Sequence, residues 1–353
     1  MRESRKLDHI KHALKTADGP QSNRFEDFKL IHNCLPKLAW DEIDLSCTAA
    51  GLKLSNPIII NAITGGANDI TDINAKLAEF ANITGCAIAV GSQFAAIENK
   101  EVTASYRVVR RKNPSGIVIA NLGAYAKPEH AQQAIEMLEA DALQIHLNPA
   151  QEIIMAEGDR DFTDYLENIT KIAQSTKVPV IAKEVGCGIA KEQAKMLVEA
   201  GVKAIDVGGA GGTNFIAIEA ARTSDDLDQD MLSWGIPTAI SAVETASVLP
   251  SNVDLIISGG IRTPLEAVKA FALNAKAIGI ANPILKTIKQ HGLEKAAAWF
   301  EGYTYQIKRY MLLTGAKNLS ELTNIPIIIT GPSFDWLSVR GADPSKYALR
   351  SKT

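Results

Sequence analysis

Val180-Ile181-Ala182-Lys183, Lys191-Glu192-Gln193-Ala194-Lys195-Met196-Leu197-Val198-Glu199-Ala200 and Ala204-Ile205-Asp206-Val207 follow one another in the chain, and their reading decides the fold. The two short runs are nearly continuous apolar segments, as expected for parallel strands covered on both faces. The segment between them places Ala194, Leu197 and Val198 at helical spacing. The three together read as one parallel β–α–β unit.

Working outward, the same alternation repeats between about residue 57 and residue 285. The strand candidates upstream are Ile58–Asn61, Ala87–Val90, Ile117–Ala120 and Ala142–His146, and those downstream are Asp254–Ile257 and Ala277–Ile280. Glu129–Glu139 repeats the helical pattern through Ala131, Ala134, Ile135 and Leu138. Eight such units predict a (β/α)8 TIM barrel, whereas a doubly wound open sheet more naturally carries fewer. No low-complexity linker interrupts the chain, so residues 57–353 read as one barrel with a C-terminal tail, helical first and then loop-rich. Residues 1–56 read as an N-terminal extension.

Composition narrows the function classes. Hydrophobic residues make up 46% and charged residues 22% of the 353, and the formal net charge is −3. That balance gives no global attraction to nucleic acid or to an anionic membrane surface, so an anionic ligand needs a local site. The charged opening Met1–Lys15 lacks the apolar core of a signal peptide, and no apolar run approaches the roughly 18 residues of a membrane span. Cys34, Cys47, Cys86 and Cys187 are scattered, with no CxxC pair, and read as reduced thiols of a cytoplasmic protein.

Barrels of this kind carry their active sites at the C-terminal ends of the strands. Those ends are Gly65-Gly66, Ser92-Gln93, Asn121, His146 with Asn148, Gln151 and Glu152, Lys183-Glu184, Gly208–Thr213, Ser258–Arg262 and Ala281-Asn282. Polar turn residues account for the Asn and Ser positions one at a time. They account poorly for Lys183, which directly follows Val180-Ile181-Ala182 and needs an anionic or polar partner. Strand alternation puts Gln144, His146 and Asn148 on one face and Leu143, Ile145 and Leu147 on the other. A lone histidine is more often structural than catalytic, but this one has polar company. The glycine turns Gly208–Thr213 and Gly259-Gly260-Ile261-Arg262 let backbone N–H groups approach a ligand, and the last strands of such barrels recurrently hold phosphate. A phosphate-bearing cofactor is the expectation.

These residues carry a resemblance. From Arg5-Lys6-Leu7-Asp8-His9 to about Leu285 the chain resembles the type 2 isopentenyl-diphosphate isomerases, which are FMN-dependent barrels. The motifs are Asn61-Ala62-Ile63-Thr64-Gly65-Gly66, Ala120-Asn121-Leu122-Gly123, Gln144-Ile145-His146-Leu147-Asn148-Pro149-Ala150-Gln151-Glu152, Lys183-Glu184-Val185-Gly186, Gly211-Gly212-Thr213-Asn214-Phe215 and Ser258-Gly259-Gly260-Ile261-Arg262. The resemblance implies that Ile63, Thr64, Gly65, Gly66, Ser92, Asn121, Lys183 and Thr213 hold the flavin ring and ribityl chain. It places Gly259, Gly260, Ile261, Arg262, Ala281 and Asn282 around the flavin phosphate. It assigns the substrate diphosphate to Arg5, Lys6, His9 and His146, further substrate contacts to Ser92, Gln93, Asn148 and Gln151, a place close to the reacting carbons to Gln151, catalytic roles to Gln151 and His146, and Mg2+ to Glu152. For Arg5 and Lys6 a solvated basic helix face is the competing reading, since Leu7, Ile10 and Leu14 fit one side of a helix. One position departs from part of the family: Phe94 stands where some members carry an arginine to the diphosphate, which shifts weight to Arg5, Lys6 and His146.

The implied reaction interconverts isopentenyl and dimethylallyl diphosphate by proton transfer assisted by reduced FMN, in isoprenoid biosynthesis. NADPH is then needed only to reduce the flavin. A homo-oligomer, tetramer or octamer, is implied as well. Two alternatives stand beside it, an FMN-dependent oxidoreductase on the same barrel and a non-catalytic phosphate-binding barrel. An inosine-monophosphate-dehydrogenase-like enzyme needs a nucleophilic cysteine in Gly208–Phe215, and a 2-hydroxy-acid oxidase needs a histidine base near the same region. Gly208–Phe215 holds no cysteine, and no histidine lies between His146 and His291.

Overall fold

The computed structural model describes residues 19–62, 65–67, 70–223 and 227–351. The expectations for Arg5, Lys6, His9, Ile63 and Thr64 lie outside the described residues.

The apolar runs close into a barrel. Strand β1 (Phe28–Leu30) and the hairpin β2 (Cys47–Ala49) and β3 (Leu52–Leu54) come first. The barrel strands are β4 (Ile58–Ile60), β5 (Ala87–Ala89), β6 (Val118–Gly123), β7 (Ala142–Leu147), β8 (Val180–Glu184), β9 (Ala204–Asp206), β10 (Asp254–Ser258) and β11 (Ala275–Ile280). All eight pair in parallel in sequence order, and β11 pairs back to β4. Each coincides with one of the runs read from the sequence. The barrel's helices cover its outside, as parallel strands require.

Strand alternation separates two apolar cores. Outward residues such as Leu143, Ile145, Val180, Ile205 and Ile257 join the large core shared with the helices. Inward residues Ile59, Ala87, Ile119, Ala142, Ile181, Ala204, Ile256 and Ala277 fill the barrel, and Ala49, Ala50 and Leu54 of the β2–β3 hairpin pack against them. The hairpin therefore seals the N-terminal end of the barrel, and ligands are left the other end.

The extension and the tail are tied together. Strand β1 pairs antiparallel with β12 (Ile327–Ile329) from the tail. Upstream of it, Asn23 reaches the opposite end of the barrel, where its Nδ2 donates to Gly260 O (2.6 Å) and to Glu266 Oε1 (2.8 Å). Glu266 also accepts from the backbone N–H of Thr263 and Arg262, closing a capping box on the helix Pro264–Ala272. The same carboxylate thus fixes the N-terminal strap and the loop that follows β10.

Candidate active site

A cavity of about 370 Å³ opens at the C-terminal ends of the strands, lined by the turns Gly208-Gly209, Gly212-Thr213 and Gly259–Arg262 and by Ala281-Asn282. Asn61, Lys183 and Ser258 reach it from the barrel, and Lys286 from the helix that begins at Asn282. The glycines are a steric requirement. A Cβ on Gly212 would come within 2.3 Å of the Gly260 nitrogen, and Gly260 itself sits at φ +73°. Arg262 braces the same two turns, donating from Nη2 to Gly211 O (2.5 Å) and from Nη1 to Gly260 O (2.8 Å). Clustered glycine backbone, three cations and the start of a long helix suit a phosphate. Outside this lining, the buried Ser92 Oγ has no hydrogen-bond partner among the described residues. The donor set fits FMN.

Beneath the cavity lies a layer of buried polar side chains. In register, His146 of β7 lies beside Lys183 of β8, and Lys183 beside Asp206 of β9. Lys183 Nζ donates to Glu184 O (2.6 Å) and stands 3.9 Å from Asp206 Oδ2. Asp206 also accepts from Asn61 Nδ2 (2.8 Å) and Ser258 Oγ (2.6 Å). The lysine expected to need an anion has Asp206 beside it and still lines the cavity. Lys183→Ala should therefore raise the FMN dissociation constant about 10- to 100-fold, the scale of a lost charge-assisted hydrogen bond. Fluorescence titration of the apoprotein checks this, and an unchanged constant contradicts it.

Next along the strand-end loops is a second cluster. Asn148 precedes the helix Pro149–Ile154, and its Nδ2 donates to Glu152 Oε1 (2.7 Å). Glu152 Oε2 accepts from the Asp159 backbone N–H (3.0 Å). Gln151 Nε2 donates to Glu219 Oε1 (2.7 Å), and Arg222 Nε donates to Glu219 Oε2 (2.8 Å). Glu219 is fully buried on the helix Phe215–Thr223. A small cavity touches Gln151 and shares Val185, Gly186 and Phe215 with the large one, so Gln151 lies next to the cofactor cavity and Glu219 stands behind it. The turn between is held by Glu184, whose Oε2 accepts from the backbone N–H of Gly186, Cys187 and Gly188. Burial outweighs these donors and pushes the Glu184 carboxyl up to about 7.

Most of the residues picked out from the sequence gather around this region. Lys183, Thr213, Gly259, Gly260, Ile261, Arg262, Ala281 and Asn282 line the large cavity. Asn121 instead meets His146 and Gln144 inside the barrel. Gln93 is placed differently from its expected substrate role. It is fully buried, with Oε1 accepting from Asn121 N and Nε2 donating to Ala134 O, so its amide joins a strand to a helix. Gly65 and Gly66 pack on Tyr106, whose hydroxyl donates to Ser92 O. Phe94 stands edge-to-face with Tyr125 (4.9 Å) and His130 (5.1 Å), an aromatic contact where an arginine was the alternative.

The sequence reading passed over Glu219, Asp206 and Lys286. The signal for Glu219 was available: it is the single charge in the apolar helix segment Phe215-Ile216-Ala217-Ile218-Glu219-Ala220-Ala221. Asp206 is likewise the one charge in Ala204–Val207, at a position facing the same way as Lys183 in its strand.

Comparison with known proteins places the chain. Residues 110–328 match the FMN-dependent dehydrogenase family. An isopentenyl-diphosphate delta-isomerase of Symbiobacterium thermophilum is 44% identical over 100% of this chain and 99% of that protein. Those of a Geobacillus strain and of Moorella thermoacetica are 46% and 45% identical over 99% and 96% of this chain, and 99% and 97% of their own. Among solved structures, a lactate oxidase of Pediococcus acidilactici superposes with a TM-score of 0.71 at 16% identity, over 93% of each chain. A mandelate oxidase variant carrying an FMN adduct superposes with a TM-score of 0.65 at 15% identity, over 91% of this chain and 96% of that one. Those last two likenesses concern the fold.

Proposed function

The chain belongs to the FMN-dependent isopentenyl-diphosphate delta-isomerases, and from that premise we propose that it interconverts isopentenyl and dimethylallyl diphosphate by proton transfer with reduced FMN, in isoprenoid biosynthesis. The observation that carries this reading is the hydrogen bond from Gln151 to the buried Glu219, with Gln151 lining a small cavity next to the one built for a phosphate-bearing cofactor.

Moving the double bond means adding a proton at one carbon and removing one from another, with positive charge developing between. Reduced FMN, when bound, supplies an exchangeable proton and an electron-rich face that stabilises that charge. The chain supplies the rest. Gln151, which lines the small cavity, faces the substrate carbon, and the buried Glu219 behind it is the base that takes up the removed proton by way of Gln151, which it holds through the 2.7 Å hydrogen bond from Nε2 to Oε1. Arg222, bonded to Glu219 Oε2 and to Glu157, compensates the buried carboxyl group and holds it in place. His146 faces the diphosphate end. NADPH serves to reduce the flavin and is not consumed by turnover.

The diphosphate carries its charge to Mg2+ and to cationic groups. Among the described residues no cluster of three or more His, Cys, Asp or Glu side chains could hold a metal. Mg2+ characteristically takes one or two carboxylates and completes its shell with water and phosphate. Glu152, a hard oxygen donor beside Asn148, fits that pattern, and its oxygens keep lone pairs beyond those engaged by Asn148 and Asp159. Glu152→Gln should raise the Mg2+ concentration for half-maximal activity about tenfold or more while FMN stays bound. Wild-type activity of the variant at limiting Mg2+ contradicts the assignment.

Arg5, Lys6 and His9 complete the anion site in this proposal. Support comes from the strap: Gly19 N donates to Gly212 O (3.4 Å) at the mouth, and ten residues of chain span up to roughly 33 Å. A homo-oligomer in the cytoplasm, tetramer or octamer, completes the proposal. No helix among the described residues is long and apolar enough to cross a membrane.

The test of the reading is an assay of isomerisation with the FMN-loaded protein. The oxidoreductase alternative has no histidine between His146 and His291 to act as its base.

A further inference from the structure

Four amide and carboxyl side chains cross the barrel interior from the cofactor end to His146. His146 Nδ1 lies 2.8 Å from Asn121 Oδ1, and Asn121 Nδ2 donates to Gln144 Oε1 (3.3 Å). Gln144 Nε2 donates to Asn61 Oδ1 (3.1 Å), and Asn61 Nδ2 donates to Asp206 Oδ2 (2.8 Å). Asn61, Asn121, Gln144 and Asp206 are buried, so water cannot satisfy a misdirected amide.

The direction of the whole chain follows from its last member. Among the described residues, every close polar neighbour of the Asp206 carboxylate is a donor: Asn61 Nδ2, Ser258 Oγ, the Gly208 N–H and the Lys183 ammonium. A carboxylate so surrounded only accepts. Asn61 must then turn its NH2 toward Asp206, which leaves its oxygen to accept from Gln144 and from the Ala62 N–H, a second contact that favours the same orientation. Gln144 in turn presents its oxygen to Asn121, and Asn121 presents its oxygen to the imidazole. An amide oxygen facing Nδ1 requires a proton on Nδ1.

We propose that Asp206 is a positioning residue that fixes the Nδ1–H tautomer of His146 through the amide chain Asn61, Gln144 and Asn121. The lone pair of the neutral ring is thereby assigned to Nε2. His146 can donate from Nε2 only as the imidazolium, so its hydrogen bond to a diphosphate oxygen always brings a positive charge with it. The chain begins at the ion pair with Lys183, on the cofactor cavity, and ends at the group read as meeting the substrate. This inference rests on that reading of His146, but the tautomer is measured without substrate, so the two fail separately.

The experiment is 15N NMR of the FMN-loaded protein labelled at histidine, at a pH where the ring is neutral. His146→Asn assigns the His146 signals among the six histidines. The wild type is expected to show only the Nδ1–H form. Asp206→Asn lets the chain reverse, since an amide in place of the carboxylate can donate to Asn61, and a substantial Nε2–H population should appear. Gln144→Met cuts the chain without touching Asp206 or Lys183 and should release the tautomer likewise, with FMN affinity unchanged. The double variant Asp206→Asn with Asn121→Asp moves the carboxylate to the other end of the chain and should restore the pure Nδ1–H form. In both single variants kcat/KM should fall about 10- to 100-fold, the range seen when an outer hydrogen-bond partner of a functional histidine is lost. A wild-type Nε2–H form, or a pure Nδ1–H form in Gln144→Met, overturns the proposal. So does an activity loss in Asp206→Asn with an unchanged tautomer, which would locate its effect at Lys183.

Discussion

Glu219→Gln is expected to lower kcat by about 10²- to 10⁴-fold, the contribution of a positioned general base, while the flavin spectrum and FMN content stay those of the wild type. The substitution keeps the shape of the side chain and an oxygen able to meet Gln151 Nε2 or Arg222, so the helix Phe215–Thr223 has little reason to move. What it removes is the ability to hold a proton. Because Glu219 lies outside the lining of the large cavity, cofactor binding has no direct stake in it. The measurement is turnover of isopentenyl diphosphate by the reduced enzyme, together with exchange of substrate hydrogens in D2O. Both should fall together. Gln151→Ala should lower turnover strongly in the same assay, also with the flavin spectrum intact, since it removes the amide between the substrate carbon and Glu219. Turnover within about twofold of wild type in Glu219→Gln would show that the proton is held elsewhere.

The barrel was legible because its strands are covered on both faces. Burial on two sides writes a near-continuous apolar run such as Val180-Ile181-Ala182, and the helix between two runs writes its own spacing, as in Ala194, Leu197 and Val198. The turns after β9 and β10 were legible for a steric reason: with Gly260 N in the way of a Cβ on Gly212, the sequence has to show glycine. Direction within a loop was not legible. Nothing in Gly91-Ser92-Gln93 tells that Gln93 turns outward to Ala134 O, because that depends on where the helix Pro128–Leu138 lands. The chain from Asp206 to His146 was hidden for a related reason. Asn61 and Gln144 are far apart in sequence and come within 3.1 Å only across the closed barrel. Lys183 announced itself because a charge on an apolar strand demands a partner, yet the partner, Asp206, could be named only from the strand register.

The second large effect concerns the flavin's redox state, and it separates this reading from its rivals. Protonating an unactivated alkene needs a strong acid beside it, and the large cavity offers none. Its lining includes Lys183, Lys286 and Arg262 and, among the described residues, no Asp or Glu. Glu219, bonded by Arg222, has the role of base in the proposed function. The proposed function gives the acid role to the reduced cofactor, and oxidation should then remove almost all activity, to about 1% or less, the loss of a general acid worth at least 10²-fold. A phosphate-binding barrel without catalysis would show no activity in either state, and an oxidoreductase would use one equivalent of reductant for each product.

The most direct measurement is an anaerobic assay of the FMN-loaded protein on isopentenyl diphosphate, before and after addition of NADPH or dithionite, with product and reductant both counted. The account predicts near-silence with oxidised FMN, activity after reduction, and many products formed for each NADPH consumed. Full isomerase activity with oxidised FMN under strict exclusion of reductant, or one NADPH consumed per product, would contradict it.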